Sequence, residues 1–153
     1  MNTLYRWTVA LVLAVSLGLP VFPQPVEIPF QFSRAFGVML INAEVNGNPA
    51  VFIVDTGSNQ TIISSGLVNV VIRPLKDTVS SEKGSGYSGT GVFTRASIRV
   101  GPIVWRDHQI VAMDLRAISK SLGENIDGLL GMDFLKEFES VMVDLRQHKL
   151  ILR

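Results

Sequence analysis

From Val26 onward the chain is written in short apolar runs broken by glycine and proline, the pattern of many brief β-strands. Val26 to Phe32 reads as an outer strand, and Phe36 to Val45 as a longer one with partial alternation. Asn46-Gly47-Asn48-Pro49 is a strong turn signal that folds this strand back against Ala50 to Val54. Val92 to Val100 alternates imperfectly and stops at Gly101-Pro102, and Ile103 to Met113 follows as a long strand or strand pair. Val141 to Leu145 and Lys149 to Leu152 close the pattern as a hairpin around Arg146-Gln147-His148. One segment keeps a different period. Met132-Asp133-Phe134-Leu135-Lys136-Glu137-Phe138 places apolar side chains three and four apart, hence on one helical face, with Asp133 as a helix-start residue. The elements together predict an all-β barrel or sandwich with one short C-terminal helix.

The N-terminus departs from this pattern. Arg6 precedes an uncharged apolar run from Trp7 to Phe22, the layout of an export signal, with Ser16 and Gly18 as small residues near a cleavage point. The run of about sixteen residues makes roughly 24 Å of helix, a little short of a bilayer core, so a retained anchor is the alternative to cleavage. Residues 1–22 are therefore expected to be a signal peptide or membrane anchor. Residues 23–34, rich in proline, are expected to be an extended tether and first strand, and 35–153 the folded domain. The domain would lie outside the cytoplasm, periplasmic, extracellular or anchored to a membrane through residues 7–22.

Composition mainly excludes. The 153 residues support one small core, and a net charge of +1 without charge blocks gives no nucleic-acid footprint. The chain has no cysteine, which removes disulfides, thiol nucleophiles and thiolate metal sites. His108 and His148 stand in polar surroundings without a triad or zinc pattern, so no metal and no cofactor is expected.

The candidate chemistry lies in Val51-Phe52-Ile53-Val54-Asp55-Thr56-Gly57-Ser58, where a carboxylate sits in turn material between two β-branched runs. An ordinary hairpin turn whose Asp bonds its own backbone has the same local sequence. Downstream, Gly84-Ser85-Gly86-Tyr87-Ser88-Gly89-Thr90-Gly91 reads as a glycine-rich connection, and Ile126-Asp127-Gly128-Leu129-Leu130-Gly131 sets an apolar strand against a glycine.

In this order the three segments resemble the retropepsin-like aspartic proteases, in particular the single-domain bacterial ones, over roughly residues 35 to 153. The resemblance implies a closed acid-protease barrel with a flap hairpin. Gly86, Tyr87, Ser88 and Gly89 would form the flap that closes over substrate, and Leu129, Leu130 and Gly131 the apolar-Gly loop beside the catalytic strand. A short helical turn and a strand would fill Ser64 to Leu75. Asp55 would be the catalytic acid and Thr56 would lock the loop to its counterpart. Gly57 would admit the substrate chain, and Ser58 would bond the carboxylate. Such enzymes activate water between two carboxylates sharing a proton. This chain has a single Asp-Thr-Gly, and Asp127-Gly128 lacks the hydroxyl residue, so the second acid would be Asp55 of another copy. The implied partners are thus a second copy and a polypeptide substrate. The alternative is a non-catalytic dimeric peptide-binding module on the same fold, against which the intact Asp55 motif argues.

Overall fold

The computed structural model describes residues 24–68, 78–80 and 90–153, the middle stretch as backbone. Strand β1 spans Val26–Phe32, β2 Met39–Val45 and β3 Asn48–Val54. The β2–β3 turn is tight because Asn46 (φ 51°) and Gly47 (φ 83°) both accept left-handed backbone, the geometry that matches strand twist in a two-residue hairpin. β1 is shared. Its first half pairs with the C-terminal strand β10 (Lys149–Leu152), its second half with β2.

Strands β4 (Ile62–Ser64) and β5 (Thr78–Ser80) are short, whereas β6 (Thr90–Val100) and β7 (Ile103–Met113) form one long hairpin with an irregularity between Ala96 and Ile98. β6 then turns back onto β2, pairing Val45 with Ile98 and Glu44 with Arg99. That contact closes a ring β2-β3-β8-β4-β7-β6, in which β8 is Gly128–Leu130. The fold is thus a closed six-stranded barrel, with β1, β10 and β9 (Val141–Asp144) continuing the sheet beyond it.

Alternation sorts the side chains into two cores. Ile41, Val45, Phe52, Val54, Ile63, Ile98, Ala112 and Leu130 fill the barrel interior. Leu40, Ile53, Ile62 and Leu129 point outward, yet they are buried too, beneath Leu115, Ile118 and Leu122. Ile118 and Leu122 belong to helix α1 (Arg116–Leu122), and Leu115 leads into it. This explains why Ala50 to Val54 is apolar without a break: strands covered on both faces need apolar residues at every position. Helix α1 adds to the C-terminal helix read from sequence, which is α2 (Met132–Leu135).

The chain around Asp55 is not a hairpin. β8 lies between β3 and β4, parallel to β3 (Val54 beside Leu130) and antiparallel to β4 (Ile62 beside Leu129). Asp55 therefore leaves a central strand at the point where the sheet is split by a segment distant in sequence. The apolar run 7–22 lies outside the described residues, among which no helix is long and apolar enough to cross a membrane.

Candidate active site

Asp55 follows β3 directly. Its backbone N–H donates to the Leu130 carbonyl (3.0 Å), continuing the β3–β8 ladder into the loop. The side chain is fixed from the other direction, with Oδ1 accepting the Gly57 N–H at 2.8 Å in an Asx turn. Oδ2 is shielded from solvent and accepts no hydrogen bond among the described residues. Thr56 and Gly57 are exposed at the rim, and Ser58 is buried beneath them. The Ser58 hydroxyl does not bond the Asp55 carboxylate, as the resemblance implied. It donates to the Gln60 carbonyl at 2.7 Å, because the turn directs this buried side chain down towards the next residues of its own loop.

The loop is stitched at its far end to the segment after β8. The Met132 N–H donates to Ser58 O (2.8 Å). Thr61, with no exposed surface, donates its N–H (2.8 Å) and its hydroxyl (2.7 Å) to the two oxygens of Asp133, and its Oγ1 accepts the Gly131 N–H at 3.1 Å. Asp133 is in the first turn of α2, as the pattern indicated, but its carboxylate clasps the Asp55 loop in addition to accepting the Phe134 N–H. Thr61 and Asp133 were not among the site residues read from sequence. The only local signal was a hydroxyl residue closing the Asp55 turn and an acid just after the apolar-Gly loop.

Gly131 is where the two segments cross. A Cβ there would stand 2.5 Å from the Gln60 carbonyl carbon and oxygen and 2.9 Å from the Thr61 nitrogen, so any side chain would force two backbones apart. Leu129 and Leu130 are fully buried, one on each side of the sheet.

Nearby acids are already engaged. Asp127 Oδ2 accepts the Val51 N–H (3.0 Å) and Oδ1 accepts Asn125 Nδ2 (2.9 Å), which fastens the start of β8 to β3. His108 lies within β7, stacked on Trp105 with ring centroids 3.5 Å apart, and His148 occupies the β9–β10 turn at φ 53°. Among the described residues no three His, Cys, Asp or Glu side chains gather as a metal site. Gly86, Tyr87, Ser88 and Gly89 lie outside the described residues, in the stretch joining β5 to its antiparallel neighbour β6.

A family model described as aspartyl protease matches residues 41–134, more than half of the chain and including both stitched segments. The chain belongs to the aspartyl protease family. Its barrel is similar to the crystal structure of a retropepsin-like aspartic protease from Rickettsia conorii, with TM-score 0.56 and 25% identity over 84% of this chain and 91% of that one. The retroviral protease-like domain of Ddi1 from Leishmania major matches with TM-score 0.50 over 75% of this chain and 87% of that one, a likeness of fold alone at 13% identity. In sequence, the chain is 32% identical over 117 residues to DNA damage-inducible protein 1 of Candida glabrata. That alignment takes in 74% of the chain but only 25% of the relative, so the chain spans about a quarter of that protein's length.

Proposed function

We propose that the chain is an aspartic endopeptidase in which Asp55 of two copies forms the catalytic pair. The observation that carries this reading is the Asp55 carboxylate itself, held by the Gly57 N–H on one oxygen and left with a shielded, unpartnered second oxygen among the described residues. A shielded polar oxygen without a partner costs on the order of 1–3 kcal/mol, and such orphans in a fold call for an explanation. A second carboxylate sharing a proton with this oxygen supplies one. The two acids of the β8–α2 segment are bonded elsewhere, Asp127 to Val51 and Asp133 to Thr61, and the source we propose for the second carboxylate is Asp55 of another copy.

In the pair, one carboxylate takes a proton from water while the other donates to the scissile carbonyl. Two like charges about 3 Å apart do not both ionise readily, so the two carboxylates share one proton. Thr56 and Gly57, exposed at the rim, would meet the second loop and the substrate backbone. An extended polypeptide would bind by main-chain hydrogen bonds, with Gly86 to Gly89 as its cover. The apolar N-terminal run supports export or anchoring, with the protease domain outside the cytoplasm.

The test is digestion of a peptide library by the purified protein and by Asp55→Asn between roughly pH 4 and 7. Cleavage by the wild type that disappears in the variant is the expected result. Equal cleavage by both would overturn the reading, and stable capture of peptides without turnover would replace it by the binding module.

A further inference from the structure

Helix α1 covers the side of the sheet on which Asp55 stands. Side chains alternate between the faces of a strand, so Asp55 shares a face with Ile53, two positions earlier. Its N–H still bonds the Leu130 carbonyl, so the ladder runs up to the acid. Ile53 lies in the outer core with Leu40, Ile62 and Leu129, and Leu115, Ile118 and Leu122 close over them. The cover is complete, since none of the four is more than 8% exposed. Val38 packs against the same cluster. Leu40 stands opposite Ile53, and the register carried on by two residues sets Val38 level with Asp55. The apolar cover therefore reaches the height of the acid.

Beside this sealed cluster lies an open groove of about 410 Å³, lined in part by Phe32, Arg34, Leu122 and Glu124. Its two walls are joined where the Arg34 N–H donates to Glu124 Oε1 at 2.9 Å. One wall continues into the turn in which the Ser33 N–H donates to the Val38 carbonyl at 2.9 Å, so the groove opens near the level of Asp55. Leu122 is the residue common to the groove and the cluster, only 5% exposed, and so forms the partition between them. The helix behind it is held in place. The Ser119 hydroxyl accepts the Ile126 N–H at 3.0 Å, and Ser119 O accepts the Glu124 N–H at 3.2 Å across the left-handed Gly123.

We propose that Leu122 sets the substrate specificity of this chain: it shuts the outer face, so the residues flanking the scissile bond must be small, namely glycine, alanine or serine. The inference rests on the proposed paired-Asp55 endopeptidase. Two acids related by a two-fold axis flank the scissile bond, so the residue on each side of it is carried towards the outer face of one copy. There it meets Leu122 and a cluster already filled. Packed interiors yield little to an added group, and a single methylene in an apolar pocket changes kcat/KM by roughly 10–200-fold.

The test is digestion of one peptide library by the wild type and by Leu122→Ala, with the residues beside each cut read by mass spectrometry. The wild type should cut beside glycine, alanine or serine and at least roughly tenfold less often beside leucine or phenylalanine. Leu122→Ala opens the groove into the cluster and should raise cutting beside leucine and phenylalanine, relative to alanine, by roughly tenfold or more. A purely structural role would lower both alike and leave the ratio unmoved. Leu122→Val keeps most of the cover, and should shift the ratio the same way by a smaller factor if the alanine variant does not fold. A wild type that cuts chiefly beside leucine or phenylalanine, or a ratio unchanged in a folded variant, would overturn the inference.

Capture of the same library by Asp55→Asn, with and without Leu122→Ala, is read apart from turnover. Captured peptides that change from small to large side chains with residue 122 would sustain the inference even where the wild type cleaves nothing, and the paired-acid reading alone would fall. Cleavage that needs Asp55 but keeps its residue preference through the change at 122 would do the reverse. Peptides neither cut nor captured would remove both.

Discussion

Asp55 owes its position to two other residues that never appear beside it in the sequence. The Thr61 N–H and hydroxyl both end on Asp133, at 2.8 and 2.7 Å, across 72 positions of chain. Replacing Asp133 by alanine leaves two buried donors without an acceptor, a loss of about 2–4 kcal/mol in urea unfolding. Asp133→Asn keeps a carbonyl oxygen for one of them and should lose roughly half as much. Because Gly131 also donates to Thr61 Oγ1, the loosened loop should lower kcat more than it raises KM in the folded Asp133→Asn protein. Equal kcat in variant and wild type would limit Asp133 to a structural role. Asp55 itself was legible because turn residues between β-branched runs announce a carboxylate at a strand end. Asp133 was not, since its local sequence says only that a helix begins. The Ser58 hydroxyl was misplaced for a related reason: sequence identifies a donor in the turn but not which acceptor the turn aims it at.

At the scale of elements, the strands were readable from alternation and turn chemistry, and what escaped was how they interleave. Nothing local tells Asp55-Thr56-Gly57-Ser58 that β8, more than seventy residues on, will enter between β3 and β4. Helix α1 escaped for want of length, although Leu115, Ile118 and Leu122 do recur at spacings of three and four that suit one helical face. Its entry is fastened by Asp114, which accepts the Arg116 N–H at 3.0 Å and the guanidinium Nε at 2.9 Å. These bonds to Arg116 hold the Asp114 carboxyl at about 2, below its ordinary 3.8. A depressed carboxyl pKa stabilises the fold at pH values above the ordinary one, and that contribution is lost as pH falls through the folded value. The fastening of α1 should therefore be intact at pH 4 and released towards about pH 2. Followed by NMR, the Asp114 carboxyl should titrate with a midpoint of about 2 in the wild type and move back towards 3.8 in Arg116→Ala. The pair is open to solvent, so the melting temperature at neutral pH should hardly differ between the two.

The molecule as a whole poses the question of how many chains make one site. The barrel supplies a rigid frame, closed by the return of β6 to β2, and places one Asp55 on it. If each site takes one acid from each of two copies, activity is a property of pairs. Mixing wild type with Asp55→Asn at fixed total concentration distinguishes the cases without any assumption about substrate. Random pairing of equal amounts leaves about a quarter of the dimers with both acids, so cleavage should fall to about a quarter of the undiluted wild-type rate. Independent chains would retain about half. Wild type diluted below the dissociation constant should likewise lose specific activity, because monomers carry only half of the pair. Rates proportional to the wild-type fraction alone, at every concentration, would mean that one chain suffices. The second acid would then have to come from within it, and the unpartnered Asp55 oxygen would need another explanation.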